Sequence, residues 1–211
     1  MKTTAAGRDW PAPTPRRTHY ARTFAQRTPC IVCEHRVVPR IATIGVYGFD
    51  GERFIEALDQ AGVTLVVDVR QRRGVRGSQY AWANAGRLTQ RLADSQIRYL
   101  HHPELAPTTE MRELQYAADD RAGVGKRSRE TLAPEYVSAY TAEVLDVVGV
   151  DDLLADLPVH GRAALLCVEA AATACHRSLI AARLADAHGF EVEHLGAQDW
   201  TPPTPQPPPI F

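Results

Sequence analysis

The chain has 211 residues, 45% of them hydrophobic, and a formal net charge of −1 at pH 7. That length holds one sizeable α/β domain plus a tail, and no apolar run is long enough to span a bilayer, which excludes a membrane-spanning helix. The N-terminus lacks the apolar core of a signal peptide, and four cysteines are too few for a disulfide scaffold, so a cytoplasmic protein is expected, with free, metal-bound or catalytic thiols.

Charge is unevenly spread. Residues 1–40 carry eight Lys/Arg against two acids, residues 68–98 seven Arg against two Asp, and residues 143–211 three Arg against ten acids. A basic patch on a near-neutral chain points to a local anionic ligand rather than to a surface for non-specific DNA binding.

Residues 1–40 read as a poorly ordered basic arm. Pro11, Pro13, Pro15 and Pro29 punctuate it, and apolar periodicity is missing. It contains Cys30-Ile31-Val32-Cys33, half of a zinc site or a redox pair, with His35 or His19 as further ligands. No second Cys-x-x-Cys completes it, so Cys30, Cys33 and His35 are weak metal candidates only.

Residues 41–196 carry the domain. IATIGV, residues 41–46, is the first strand, followed by a helix over 52–60 that stops at Gly62. Val63 to Val69 is a β-branched second strand, with Asp68 and Arg70 sharing a face at its C-terminal end. Residues 71–82 mix Arg72, Arg73 and Arg76 with Gly74, Gly77, Tyr80 and Trp82, a composition suited to phosphate or nucleobase contacts, or simply to a solvated loop. Asn84 is placed to cap a helix over 85–94. A third strand, 97–100, leads to His101-His102-Pro103. Residues 104–130 are polar and glycine-punctuated and read as a lid or irregular excursion. Pro134 opens a helix running to about Val148. A short amphipathic piece, 151–157, precedes the apolar run 163–168, which reads as a strand buried on both faces. A helix over 177–187 and a strand over 190–195 follow. Pro202, Pro203, Pro205, Pro207, Pro208 and Pro209 make 197–211 a proline-rich tail.

Strands alternating with helices predict a single α/β domain with a mostly parallel sheet and helices on both faces, a Rossmann-like three-layer arrangement. There is no repeat, P-loop or G-x-G-x-x-G, so no motif specifies a cofactor.

The chemistry gathers at strand ends, where open parallel sheets bind ligands. Cys167 and Glu169 are two apart and share a face. Cys175, His176 and Arg177 stand at a helix N-terminus, which favours a thiolate. With Asp68 and Arg70 they form the candidate catalytic set. Arg72, Arg73, Arg76, Tyr80 and His101 are the candidate ligand contacts. Cys175, His176 and Arg177 cannot all enter one pocket, because neighbours in a helix diverge by about 100°.

Cys167-Val168-Glu169 and Cys175-His176-Arg177 resemble the C-x-E…CHR signature of the DUF488 family. Thr43-Ile44-Gly45, Val67-Asp68-Val69-Arg70 and Ile97-Arg98-Tyr99-Leu100-His101 are similar to further family motifs. The resemblance covers roughly residues 41 to 196. It implies the fold and no activity, since the family is named for lacking one. One departure is Val46-Tyr47, where the family usually has a polar pair, often His-Ser.

Three functions are compatible with these residues. The first is an enzyme with a Cys/Glu/His/Arg site acting on a nucleotide, a nucleic-acid base or another phosphorylated ligand. The second is a non-enzymatic nucleic-acid-binding module. The third is a metal-binding or redox protein using the cysteines. The first is preferred, because a thiol beside a histidine and an acid has the parts of a nucleophile. A purely structural network of Arg177 with Asp68 or Glu169 is the competing account.

Overall fold

The structure, a computed structural model, describes residues 38–125 and 127–198. Cys30, Cys33 and His35 lie outside the described residues, as does most of the proline-rich tail. Five strands form one all-parallel sheet in the order β3-β2-β4-β1-β5. They are β1 (Arg40–Gly45), β2 (Val63–Asp68), β3 (Arg98–His101), β4 (Arg162–Cys167) and β5 (Glu191–Leu195). The helices are α1 (Gly51–Gln60), α2 (Ala85–Asp94), α3 (Thr109–Ala122), α4 (Pro134–Tyr140), α5 (Asp151–Asp156) and α6 (His176–His188).

Central strand β4 is buried at every position. Its alternate side chains serve two separate cores. Ala163, Leu165 and Cys167 join Tyr140, Leu153, Ile180 and Leu184 beneath α4, α5 and α6. Ala164 and Leu166 join Phe54, Leu58, Leu88 and Leu92 beneath α1 and α2. This division is the physical content of a three-layer α/β fold: a strand with no solvent face is apolar along its length, and the one charge here, Arg162 at its start, is paired with Glu193.

Two elements differ from the sequence reading. Residues 104–130 are not an irregular excursion, because α3 occupies 14 of them. Thr108 caps α3 by accepting from the Met111 N–H. Its inward stripe is Met111, Gln115 and Asp119, at helical spacing but mostly polar. Apolar periodicity cannot detect such a stripe. The helix expected from Pro134 to Val148 is α4 followed by a π-turn at Thr141–Leu145.

Asn84 does precede α2, but its side chain makes no cap bond. Its Oδ1 instead accepts from the Val75 N–H at 2.8 Å. The residue therefore ties down the arginine loop. Among the described residues no helix is long and apolar enough to cross a membrane.

Candidate functional site

The C-terminal ends of β1, β2 and β4 meet at residues 45, 68 and 167. Past β4 the chain runs through Glu169 and a small-residue loop to Cys175, the N-cap of α6. Two devices hold that loop. Gly45 is one: a Cβ there would lie 1.9 Å from the Glu169 carbonyl oxygen, so only glycine admits the close approach. Arg177, 1% exposed, is the other. Its guanidinium donates to the carbonyls of Glu169 at 2.6 Å and Ala170 at 2.9 Å, and to Thr43 Oγ1 at 3.3 Å.

The loop so held brings two sulfurs and an imidazole together. Nδ1 of His176 lies 3.7 Å from Cys167 Sγ and 3.9 Å from Cys175 Sγ. His176 Nε2 is 3.0 Å from the Val69 carbonyl oxygen. A carbonyl only accepts, so Nε2 carries the proton and Nδ1 presents a lone pair to the sulfurs. The Tyr140 ring packs beside the imidazole at 5.5 Å and limits its rotation.

The two thiols are pushed in opposite directions. The neighbouring Cys175 sulfur and burial both push Cys167 well above the ordinary thiol value. Burial also pushes Cys175 up, but the neighbouring Cys167 thiol and the Arg177 guanidinium outweigh it, and the thiol falls well below its ordinary value. Position agrees with this direction, because Cys175 sits at the positive end of the helix dipole. Cys175 is thus the more acidic thiol of the two.

These groups form the floor of a cavity of about 430 Å³. Glu169 lines it too, with Oε1 3.8 Å from Arg129 Nη1. Burial first, and then the negative Cys175, push its carboxyl up to about 7, against the pull of Arg129 and Arg177. Arg70, Arg72, Arg76, Arg112 and Arg129 make the walls cationic, and Tyr47, Tyr116 and Tyr136 add aromatic surface. At the rim, the Arg127 guanidinium stands 5.2 Å from the Tyr47 ring centroid and 5.7 Å from that of Tyr80.

A family model described as domain of unknown function DUF488 matches residues 50–184. The chain belongs to the DUF488 family. No curated protein and no solved structure matches it.

In this DUF488 protein the motif residues divide between cavity and support. Cys167, Glu169, Cys175, His176, Arg70, Arg72 and Arg76 line the cavity. Asp68 and Arg177 do not. Asp68 is fully buried and saturated: it accepts from the Arg70 N–H, Nε and Nη2 and from the Tyr99 hydroxyl at 2.6 to 3.0 Å. Arg70 also donates to the Ala83 carbonyl, so it reaches the cavity with its fork already occupied. Arg177 pairs with neither Asp68 nor the Glu169 carboxylate, the pairing on which the competing structural account rested; it clamps carbonyls instead. Glu169 contacts Arg129 rather than orienting His176.

Arg73, Tyr80 and His101 also stand outside the cavity lining. The Arg73 side chain stands near the Tyr99 hydroxyl, its carbonyl accepts from the Ala85 N–H at 3.0 Å, and His101 Nε2 reaches the Arg70 carbonyl at 2.9 Å. Tyr80 packs against Tyr47 at 5.0 Å. Val46-Tyr47, the departure from the family pattern, has one inward residue, Val46 in the core beneath α1, and one cavity residue, Tyr47.

The polar residues missed from sequence include Arg112, Gln115, Tyr116 and Arg129, which come from α3 and the segment after it. Arg129 forms a buried ion pair with Asp119, which also accepts from Gln115 Nε2 at 2.8 Å. The available signal was the polar i, i+4 pair Gln115 and Asp119, which marks a helix facing something other than an apolar core.

Proposed function

We propose that this DUF488 protein is an enzyme acting on a small anionic, phosphorylated ligand such as a nucleotide. The reaction centre is the Cys167, Cys175 and His176 cluster, with Glu169 as the acid–base group. The observation that carries this reading is the imidazole of His176. Its Nε2–H is held by the Val69 carbonyl, so its Nδ1 is aimed at both sulfurs at the floor of an open, cationic cavity. A purely structural cysteine pair needs no oriented base, no cavity and no arginine wall.

The cavity volume, about 430 Å³, suits a small ligand, which typically occupies about 300–1,000 Å³. Exposed Arg72 and Arg76 supply free cationic groups at its wall. Tyr47 and Tyr116 offer a surface on which a base ring can stack. The depth of the sulfur cluster favours a small molecule over a nucleic-acid strand, which would engage exposed arginines and leave buried thiols untouched. Free thiols fit a reducing compartment such as the cytoplasm.

The test is to incubate the full chain with a panel of nucleotides and sugar phosphates and to follow products by mass spectrometry, with Glu169→Gln as control. Turnover of one phosphorylated compound, abolished in the variant, is the expected result. Salt-dependent binding of DNA or RNA with no product from any compound would replace the enzyme with a binding module.

A further inference from the structure

The cluster at the cavity floor has the geometry of a metal site. Cys167 Sγ, Cys175 Sγ and a ligating atom of His176 all lie within 4.8 Å of one another, and all three residues are buried. A tetrahedral zinc ion, with bonds of about 2.3 Å to sulfur and 2.0 Å to nitrogen, sets sulfur and nitrogen roughly 3.6 Å apart. The two separations here are 3.7 and 3.9 Å. The free nitrogen of His176 points at both sulfurs, and the opposite N–H is fixed by the Val69 carbonyl. A backbone carbonyl on the far nitrogen is how proteins orient a ligating histidine.

Charge agrees. Two sulfurs this close in a buried site cannot both ionise without a compensating cation, and buried charges are stable only when paired or bound to a metal. Arg177 is a fixed cation close to both sulfurs, but three oxygen acceptors hold its guanidinium. A divalent ion would neutralise two thiolates completely. Two sulfurs and one imidazole select a soft or borderline ion, with zinc first.

We propose that Cys167, Cys175 and His176 are the three protein ligands of a zinc ion whose fourth position opens into the arginine-lined cavity. Glu169 lines the same cavity without joining the ligand set. Three protein ligands with an open position is the catalytic pattern of zinc, whereas structural sites are closed by four. The open position takes water, which zinc ionises near neutral pH. The reaction class is then hydrolysis. The water oxygen bonds to the electrophilic atom of the substrate, Glu169 accepts the water's proton, and the leaving group departs with the bonding pair and that proton. This chemical use rests on the active-site reading above; the binding of the ion does not.

The experiment uses the full chain with Cys30→Ala and Cys33→Ala, so that the N-terminal pair cannot supply ligands. The protein is stripped, reloaded with zinc sulfate or cobalt chloride, desalted, and analysed for metal and for its absorption spectrum. One ion per chain, with thiolate-to-cobalt charge-transfer bands and intense tetrahedral ligand-field bands, is expected. Cys175→Ala and His176→Ala added to this background should each lose the ion while keeping the far-ultraviolet circular dichroism of the parent. No retained ion in the Cys30/Cys33 variant, or a cobalt spectrum without thiolate bands, overturns the site. The spectrum needs no cluster variant, so a misfolded Cys175→Ala leaves the answer intact. If no ion binds, yet iodoacetamide modifies Cys175 and a turned-over phosphorylated compound protects it, the active-site reading stands. Sulfur is then the nucleophile, and only the metal fails.

Discussion

Cys175 and Cys167 have the same side chain and are almost equally buried, at 2% and 6% exposure, yet their surroundings push their thiols in opposite directions. The difference comes from position. Cys175 caps a 13-residue helix, and Cys167 ends a strand. In metal-free protein, iodoacetamide should therefore alkylate Cys175 well below pH 8, near the unperturbed thiol value of about 8.5, while Cys167 stays inert. Peptide-level mass spectrometry across pH reads both sites at once, and the reverse order of reactivity would reassign the anion.

Glu169 gives a pH dependence whose sign can be worked out. The folded protein holds its carboxyl up to about 7, whereas an unfolded carboxylate titrates at about 4.3. Between these values the folded state binds the extra proton. Its contribution to stability is full below the unfolded value and is lost as pH rises toward 7. In metal-free protein, the urea midpoint should fall over that window, and Glu169→Gln should flatten the fall. An unchanged slope in the variant would mean that another group titrates there.

At the scale of elements, the site depends on backbone contacts that side-chain chemistry does not advertise. β1 contributes Gly45, which makes room for the Glu169 carbonyl, and Thr43, which receives Arg177. β2 contributes the Val69 carbonyl that sets the tautomer of His176. α6 contributes His176 and Arg177, which diverge as adjacent helical residues must, one to the cavity and one to the loop. Gly45→Ala should cost about 1–3 kcal/mol, the usual penalty of overpacking, because the neighbour at 1.9 Å is backbone. The same variant should lose the selective reactivity of Cys175, since the loop must shift. Denaturation and alkylation of one sample test both statements, and a stable variant with unchanged reactivity would show that the loop is not held there.

At the scale of the whole molecule, the basic run 70–76 does two jobs. Arg70 and Arg73 build: Arg70 is 2% exposed and locked on Asp68, and Arg73 stands beside Tyr99 and accepts from the Ala85 N–H. Arg72 and Arg76 are exposed at the cavity wall. The double variant Arg72→Ala/Arg76→Ala should keep its stability within about 0.5 kcal/mol and lose affinity for phosphorylated ligands. Arg73→Ala should instead cost about 1 kcal/mol, the typical loss at a site that is not freely exposed, because Arg73 is half-buried beside Tyr99. Thermal denaturation and calorimetric titration of a nucleotide separate the two pairs, and equal stability losses would dissolve the distinction.

The sequence by itself determined the sheet, its parallel sense and the gathering of Cys167, Glu169, Cys175 and His176 at its C-terminal edge. Those features follow from local patterns: β-branched runs, helical spacing, and the period of two that sets Cys167 and Glu169 on one face. Only the tertiary structure decided which polar groups face the cavity and which are consumed in holding it. Asp68 and Arg70 saturate each other across two residues, and Arg177 spends its guanidinium on carbonyls released by a loop, which no spacing rule foretells. α3 escaped notice for a related reason. Its inward face is Met111, Gln115 and Asp119, and such a face is recognisable only once Arg129 and the cavity stand opposite it. Apolar burial leaves a periodic trace in a chain, but the satisfaction of buried polar groups depends on partners distant in sequence, and these meet only in the folded protein.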